Sequence, residues 1–194
     1  TVPALIMDDC VLTNSKRFRE FTTAFRAARV PFEAGARIMS ITREKLTTFM
    51  ESGGVRMGVG VESGSQRVLD RVKKRLKVEE TVKRTSLLKE VGLEWQAFVV
   101  VGFPFETPDD LKMTEELLLK IEPSFVSINR FTPYPGTELY REHYQQSQLR
   151  FRDLYQLNRN NGVELSDEMQ EQVERLYTVF DKYNRKSRIA NESC

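Results

Sequence analysis

Short apolar runs recur along this chain at intervals of about 25–35 residues, and an amphipathic stretch fills each interval. No other feature limits the fold as much. Residues 2–7 (VPALIM), 32–39, 55–61, 93–101 (LEWQAFVVV) and 124–131 read as strands. Asn14 reads as the N-cap of a helix through about Ala28, with Phe18, Phe21 and Phe25 on one face. Pro31 breaks that helix. Thr42 opens a helix to Ser52, and Gly53 and Gly54 close it. A helix follows Gly64, and another runs from Val78 to near Gly92. Thr107, Pro108, Asp109 and Asp110 combine a hydroxyl cap, a proline at the first helical position and acids in the first turn. That helix runs to about Ile121, and Pro123 ends it. A short helix is expected at residues 137–144 and a long charged one at 167–186. The pattern predicts a parallel α/β sheet, and both doubly wound sheets and TIM-like barrels satisfy it. Right-handed crossovers then put function at the C-terminal ends of the strands.

The residues at those ends are Asp8 and Asp9, Arg37, residues 62–65 (ESGS), residues 102–107 (GFPFET) and residues 133–136 (PYPG). Carboxylates, a guanidinium, hydroxyls and exposed backbone amides on one rim suit a zwitterionic ligand. Helix N-termini after Gly64 and Thr107 add partial positive charge. Each element also has a plainer reading: Asp8 and Asp9 as a turn, residues 62–65 and 102–107 as strand-to-helix loops, residues 133–136 as a turn. His143 reads as a surface histidine and Cys10 as a strand-end thiol without a metal. The basic run 71–77 (RVKKRLK) reads as a solvated helix end, with a phosphate contact as the sharper alternative.

Composition excludes several classes. With 30 basic and 28 acidic residues the formal charge is +2, without the basic excess of a general nucleic-acid binder. The apolar runs are far shorter than the roughly 20 residues of a membrane-spanning helix. Two cysteines, Cys10 and Cys194, and one histidine cannot build a four-ligand metal site or a disulfide framework. There is no Gly-x-Ser-x-Gly elbow and no P-loop. Gly58, Gly60 and Gly64 resemble a dinucleotide fingerprint only superficially, because they begin inside a strand. The chain starts at Thr1, close to a strand, so it is expected to be a piece of a longer protein.

In order, Met7-Asp8-Asp9, Gly35-Ala36-Arg37, residues 58–66 (GVGVESGSQ) with Val68-Leu69-Asp70, residues 98–107 (FVVVGFPFET) and residues 132–139 (TPYPGTEL) resemble the core of radical S-adenosylmethionine (SAM) enzymes. They are similar to a subgroup that includes anaerobic magnesium-protoporphyrin ester cyclases and often carries a cobalamin-binding domain. The resemblance implies a partial (β/α) barrel, truncated at its N-terminus, over residues 1–145, and a C-terminal helical extension over 146–194. It implies SAM, a [4Fe–4S] cluster and, in the subgroup, cobalamin as cofactors of the full-length parent. It further implies a small-molecule substrate, an electron donor and a cytoplasmic setting. The substrate and the reaction after radical formation stay open, with tetrapyrrole cyclisation and methyl transfer as the two candidates.

The Cys-x3-Cys-x2-Cys signature of the family does not occur here, so the cluster cysteines are expected upstream of Thr1 and the isolated chain is expected to be inactive. Two positions also depart from the family pattern: Phe105 replaces a glycine, and Lys74-Arg75 replaces Lys-Gly. By carry-over, Asp8 and Asp9 would face the SAM ammonium or ribose. Arg37 and Ser63 would lie near its carboxylate, and Glu62 near the ribose or the same polar end. Val101, Gly102 and Glu106 would border the adenine, and Tyr134 and Gly136 would sit at the barrel mouth. The edge beside residues 2–7 is expected to support self-association. Two rival expectations are a cluster-free α/β module binding a nucleotide or a protein partner, and an ordinary TIM-like metabolic enzyme.

Overall fold

The computed structural model describes residues 2–8, 10–145 and 163–192. Strands β1 (Ala4–Ile6), β2 (Phe32–Ala36), β3 (Gly54–Glu62), β4 (Glu94–Val101) and β5 (Phe125–Arg130) form one sheet in the order β1-β2-β3-β4-β5. All four pairings are parallel. The connecting helices are α1 (Ser15–Ala28), α2 (Arg43–Glu51), α3 (Gln66–Arg71), α4 (Val78–Val91) and α5 (Pro108–Ile121), followed by α6 (Glu138–His143) and α7 (Asp167–Glu192). Because spatial order equals chain order, every right-handed crossover steps the same way and leaves its helix on the same face. A doubly wound sheet would reverse direction at a switch point. The architecture is therefore a partial (β/α) barrel.

The alternation of side chains along β3 separates the two faces. Met57, Val59 and Val61 are buried under the helices, whereas Arg56, Gly58, Gly60 and Glu62 point to the concave side. On β4, Trp95, Ala97, Val99 and Val101 are buried and Phe98 is 38% exposed on the concave side. At one end of the core the Phe32 ring meets Phe21, Phe25 and Phe49 at centroid distances of 4.9, 4.5 and 4.9 Å. Burying Phe32 completely contributes about 2–3 kcal/mol.

The helix starts follow local chemistry. Asn14 accepts from the Arg17 amide at 3.0 Å, and Thr42 from that of Lys45 at 3.3 Å. Thr107 and Asp110 form a reciprocal capping box. Two boundaries differ from the sequence-based expectation by three residues or more. β2 stops at Ala36, and a 3-10 turn (Ile38–Ser40) follows, closed by the Ser40 amide and hydroxyl on the Arg37 carbonyl at 2.9 and 2.6 Å. This turn drives Ile38 into the core, so its apolar character reflects burial in a turn rather than a longer strand. The last helix extends to Glu192, beyond the expected residue 186.

Helix α7 lies against α5 and β5 and buries Val173, Leu176, Tyr177 and Phe180. It also covers the free edge of β5. The Asn184 amide accepts from the Val126 N–H at 2.9 Å and donates to the Val126 carbonyl at 2.8 Å, replacing a neighbouring strand. Tyr183 donates to the Pro123 carbonyl at 2.6 Å. No helix among the described residues is long and apolar enough to cross a membrane.

Candidate functional site

At the C-terminal ends of β2 to β4 the concave face holds a cleft of about 690 Å³. Gly35, Gly58 and Gly60 form its floor, Phe98 and Leu76 its apolar walls, and Arg37, Glu62, Lys74 and Arg75 its polar rim. A side chain at two floor positions would meet the groups that lie over them. A Cβ on Gly58 would lie 2.7 Å from the Phe98 ring, and one on Gly60 would lie 2.7 Å from the Glu62 carboxylate. These glycines let a ring and an acid lie flat across the sheet.

Glu62 occupies an unusual backbone position. Its φ is +67°, and the Ser63 amide donates back to the Val61 carbonyl at 2.9 Å, which closes a three-residue turn on Glu62. The β3–β4 register shifts at the same point, between Gly60 and Glu62. Left-handed backbone at a residue with a Cβ costs about 1–2 kcal/mol and recurs at functional sites. The turn aims the Glu62 carboxylate into the cleft, where Lys74 meets it at 2.6 Å.

Behind the cleft, the residues after β3 and those after β4 hold each other. Gly64 passes so close to α5 that a Cβ would lie 2.2 Å from the Met113 carbonyl oxygen. Its amide donates to the Thr114 hydroxyl at 2.9 Å, and Ser63 shares a hydrogen bond with the same hydroxyl at 3.2 Å. Ser65 donates to Asp110 at 2.5 Å, and Arg67 pairs with the other oxygen of that carboxylate. Burial alone would raise the Asp110 pKa. Hydrogen bonds from Ser65, Thr107 and Arg67 outweigh it and hold the group below the usual carboxylate value.

Glu106 is set the other way. It is buried, accepts from the Gly102 and Phe103 amides at 2.6 and 3.3 Å through Oε2, and leaves Oε1 buried without a partner. Burial dominates over the two amides, and its pKa is pushed up to about 7. The side chain fixes the loop after β4, where Gly102 has φ +81°.

Of the residues singled out from sequence, Arg37 and Glu62 line the cleft together. Asp8 accepts from the Cys10 amide at 2.8 Å and pairs with Arg17 at 2.6 Å. Asp9 lies outside the described residues. The Ser63 hydroxyl turns away to α5. Val101 is fully buried and its carbonyl accepts from the Phe131 amide at 2.8 Å. Gly102 and Glu106 form the loop just described. Tyr134 is exposed beyond β5, and Gly136 turns there with φ +91°. Sequence reasoning named Lys74 and Arg75 only within a basic run that departs from the family pattern, and Gly35, Gly58, Gly60 and Phe98 only as parts of motifs, without assigning any of them to a site. The period-two glycines of β3 were a visible signal, but the basic run 71–77 hid its role because it resembles any solvated helix end.

The radical SAM superfamily model matches residues 15–118. The chain belongs to the radical SAM superfamily. An uncharacterized methyltransferase of Pyrococcus horikoshii is 26% identical over 137 residues, covering 69% of this chain and 30% of that protein. The anaerobic magnesium-protoporphyrin IX monomethyl ester cyclase of Rubrivivax gelatinosus is 27% identical over 142 residues, 71% of this chain and 26% of that enzyme. The chain thus spans less than a third of the length of these two relatives. Coproporphyrinogen III oxidase of Escherichia coli, itself a radical SAM enzyme, shares the fold with a TM-score of 0.65 at 12% identity, over 87% of this chain and 37% of its own.

The residues present fit SAM. The side-chain-free floor, the Phe98 ring, the Glu62 carboxylate and the rim cations match an adenosyl group carrying an ammonium and a carboxylate. They do not fit the family's [4Fe–4S] cluster. The chain has two cysteines, and among the described residues no group of three side chains could hold a metal ion.

Proposed function

We propose that this chain is the SAM-cradling part of a radical SAM enzyme. The observation that carries this reading is Glu62, held in left-handed backbone over the glycine floor and facing a cation across the cleft. Bound and reduced by one electron, SAM supplies radical chemistry that abstracts hydrogen from a substrate. The residues of this chain position it. Glu62 accepts hydrogen bonds from the ligand's ammonium or ribose. Lys74 and Arg37 balance its carboxylate. Gly58 and Gly60 allow close approach to the sheet, and Phe98 covers one side. The loop locked by Glu106 presents its backbone edge beside β4.

In this reading the cluster thiolates, the electron donor and any cobalamin belong to the whole enzyme. The reaction on the substrate is cyclisation or methyl transfer, the chemistry named for the cyclase and methyltransferase relatives. Calorimetric titration of the chain with S-adenosylhomocysteine tests the reading. Saturable binding that Glu62→Gln weakens about tenfold is expected, the loss of one charge-assisted hydrogen bond. The absence of saturable binding at millimolar ligand would refute it.

A further inference from the structure

The cleft carries more positive charge than the proposed adenosyl ligand can use. Four cations, Arg37, Lys73, Lys74 and Arg75, line it against one carboxylate, Glu62. Lys74 is committed to Glu62, and Lys73 reaches out of the cleft to Glu138. Among the described residues neither Arg37 nor Arg75 has a carboxylate partner. SAM offers one carboxylate, balanced by Lys74 and Arg37, and also carries a sulfonium and an ammonium, so it leaves the Arg75 guanidinium unneutralised.

The loop that presents Arg75 is built rather than loose. Both Lys73 and Arg75 have left-handed backbone, with φ of +56° and +52°, a conformation rare for residues with long side chains. The Gln66 amide clamps the C-terminal end of the loop, donating to the Leu76 carbonyl at 3.0 Å and accepting from the Val78 amide at 3.1 Å. Leu76 is buried between the exposed cations on either side. Strain held in place by this many contacts, ending in an unpartnered guanidinium at a cleft, is the pattern of a pre-organised anion contact.

We propose that the cleft takes an acidic second ligand, the substrate, and that Arg75 holds its carboxylate or phosphate. The proposal rests on the SAM reading above and narrows the substrate to an oxyanion-bearing small molecule. Arg75 then determines specificity, since its planar fork reads a two-oxygen acid.

The test titrates the full chain with two probes, inorganic pyrophosphate and S-adenosylhomocysteine, in wild type and in Arg75→Asn. Asparagine removes the charge and tolerates left-handed backbone. Pyrophosphate affinity should fall about tenfold and return in part in Arg75→Lys, while S-adenosylhomocysteine affinity changes less than about twofold. The two probes should also bind together. Unchanged pyrophosphate affinity in Arg75→Asn overturns the proposal. So does mutual exclusion of the probes, or an equal loss of S-adenosylhomocysteine, which would give Arg75 to the adenosyl ligand's own carboxylate. If S-adenosylhomocysteine binds to neither protein but the pyrophosphate effect persists, the anion site stands and the SAM reading falls.

Discussion

Glu106→Gln separates the charge of a buried carboxyl from its shape. In the folded chain the pKa of Glu106 is about 7, while in the unfolded chain it returns to the ordinary value near 4.5. Below pH 4.5 both states are protonated, and the stability that protonation contributes to the fold is fully present. Between pH 4.5 and 7 the unfolded chain releases a proton that the folded chain keeps, so stability falls as pH rises, and the fall ends above pH 7. The difference of about 2.5 units corresponds to about 3 kcal/mol in all. Glutamine keeps an oxygen for the Gly102 and Phe103 amides and cannot ionise. The variant should therefore match wild type near pH 4.5 and gain on it by about 3 kcal/mol at pH 8. Urea unfolding of both proteins at five pH values measures this, because every other titration cancels in the difference. Stability curves that run parallel across the range would show that the carboxyl is ionised in the fold and that burial does not control it.

Gly64→Ala should cost several kcal/mol and lower the melting temperature sharply, because a Cβ would overlap α5 backbone at 2.2–2.6 Å and neither side can yield; a melt within about 2 °C of wild type would refute that packing. Gly60→Ala meets only the movable end of Glu62, so stability should change by less than about 1 kcal/mol while S-adenosylhomocysteine binding is lost. Equal binding in a titration would remove the glycine floor from the argument. Asn184→Leu removes two hydrogen bonds to Val126 and should cost about 2 kcal/mol and promote oligomers, as seen by light scattering.

What could be read from the sequence was what short-range chemistry decides. Thr107, Pro108 and Asp110 sit within four residues of one another, and their cap formed where the motif put it. The strand–helix alternation gave the parallel sheet, but only spatial order could choose between a partial barrel and a doubly wound sheet. Long-range contacts were not legible. Ser65 meets Asp110 across 45 positions, so two loops that each read as a strand-to-helix turn are one interlocked structure. That lock turns Ser63 away from the cleft, although the pattern around it suggested a ligand contact. Lys74 and Arg75 looked like solvent-facing charges because the left-handed backbone that folds them over the rim leaves no trace in composition.

The sheet's two outer strands are finished differently. On one flank Asn184 satisfies both backbone groups of Val126 with a single side chain and ends the hydrogen-bonded array there. On the other flank β1 is three residues long and is bordered by Val2 and Met7, which are 90% and 89% exposed. The array thus has a polarity, a sealed end and an extendable one. A strand added to this sheet would therefore meet a one-sided β1 on that flank and the Asn184 side chain on the other.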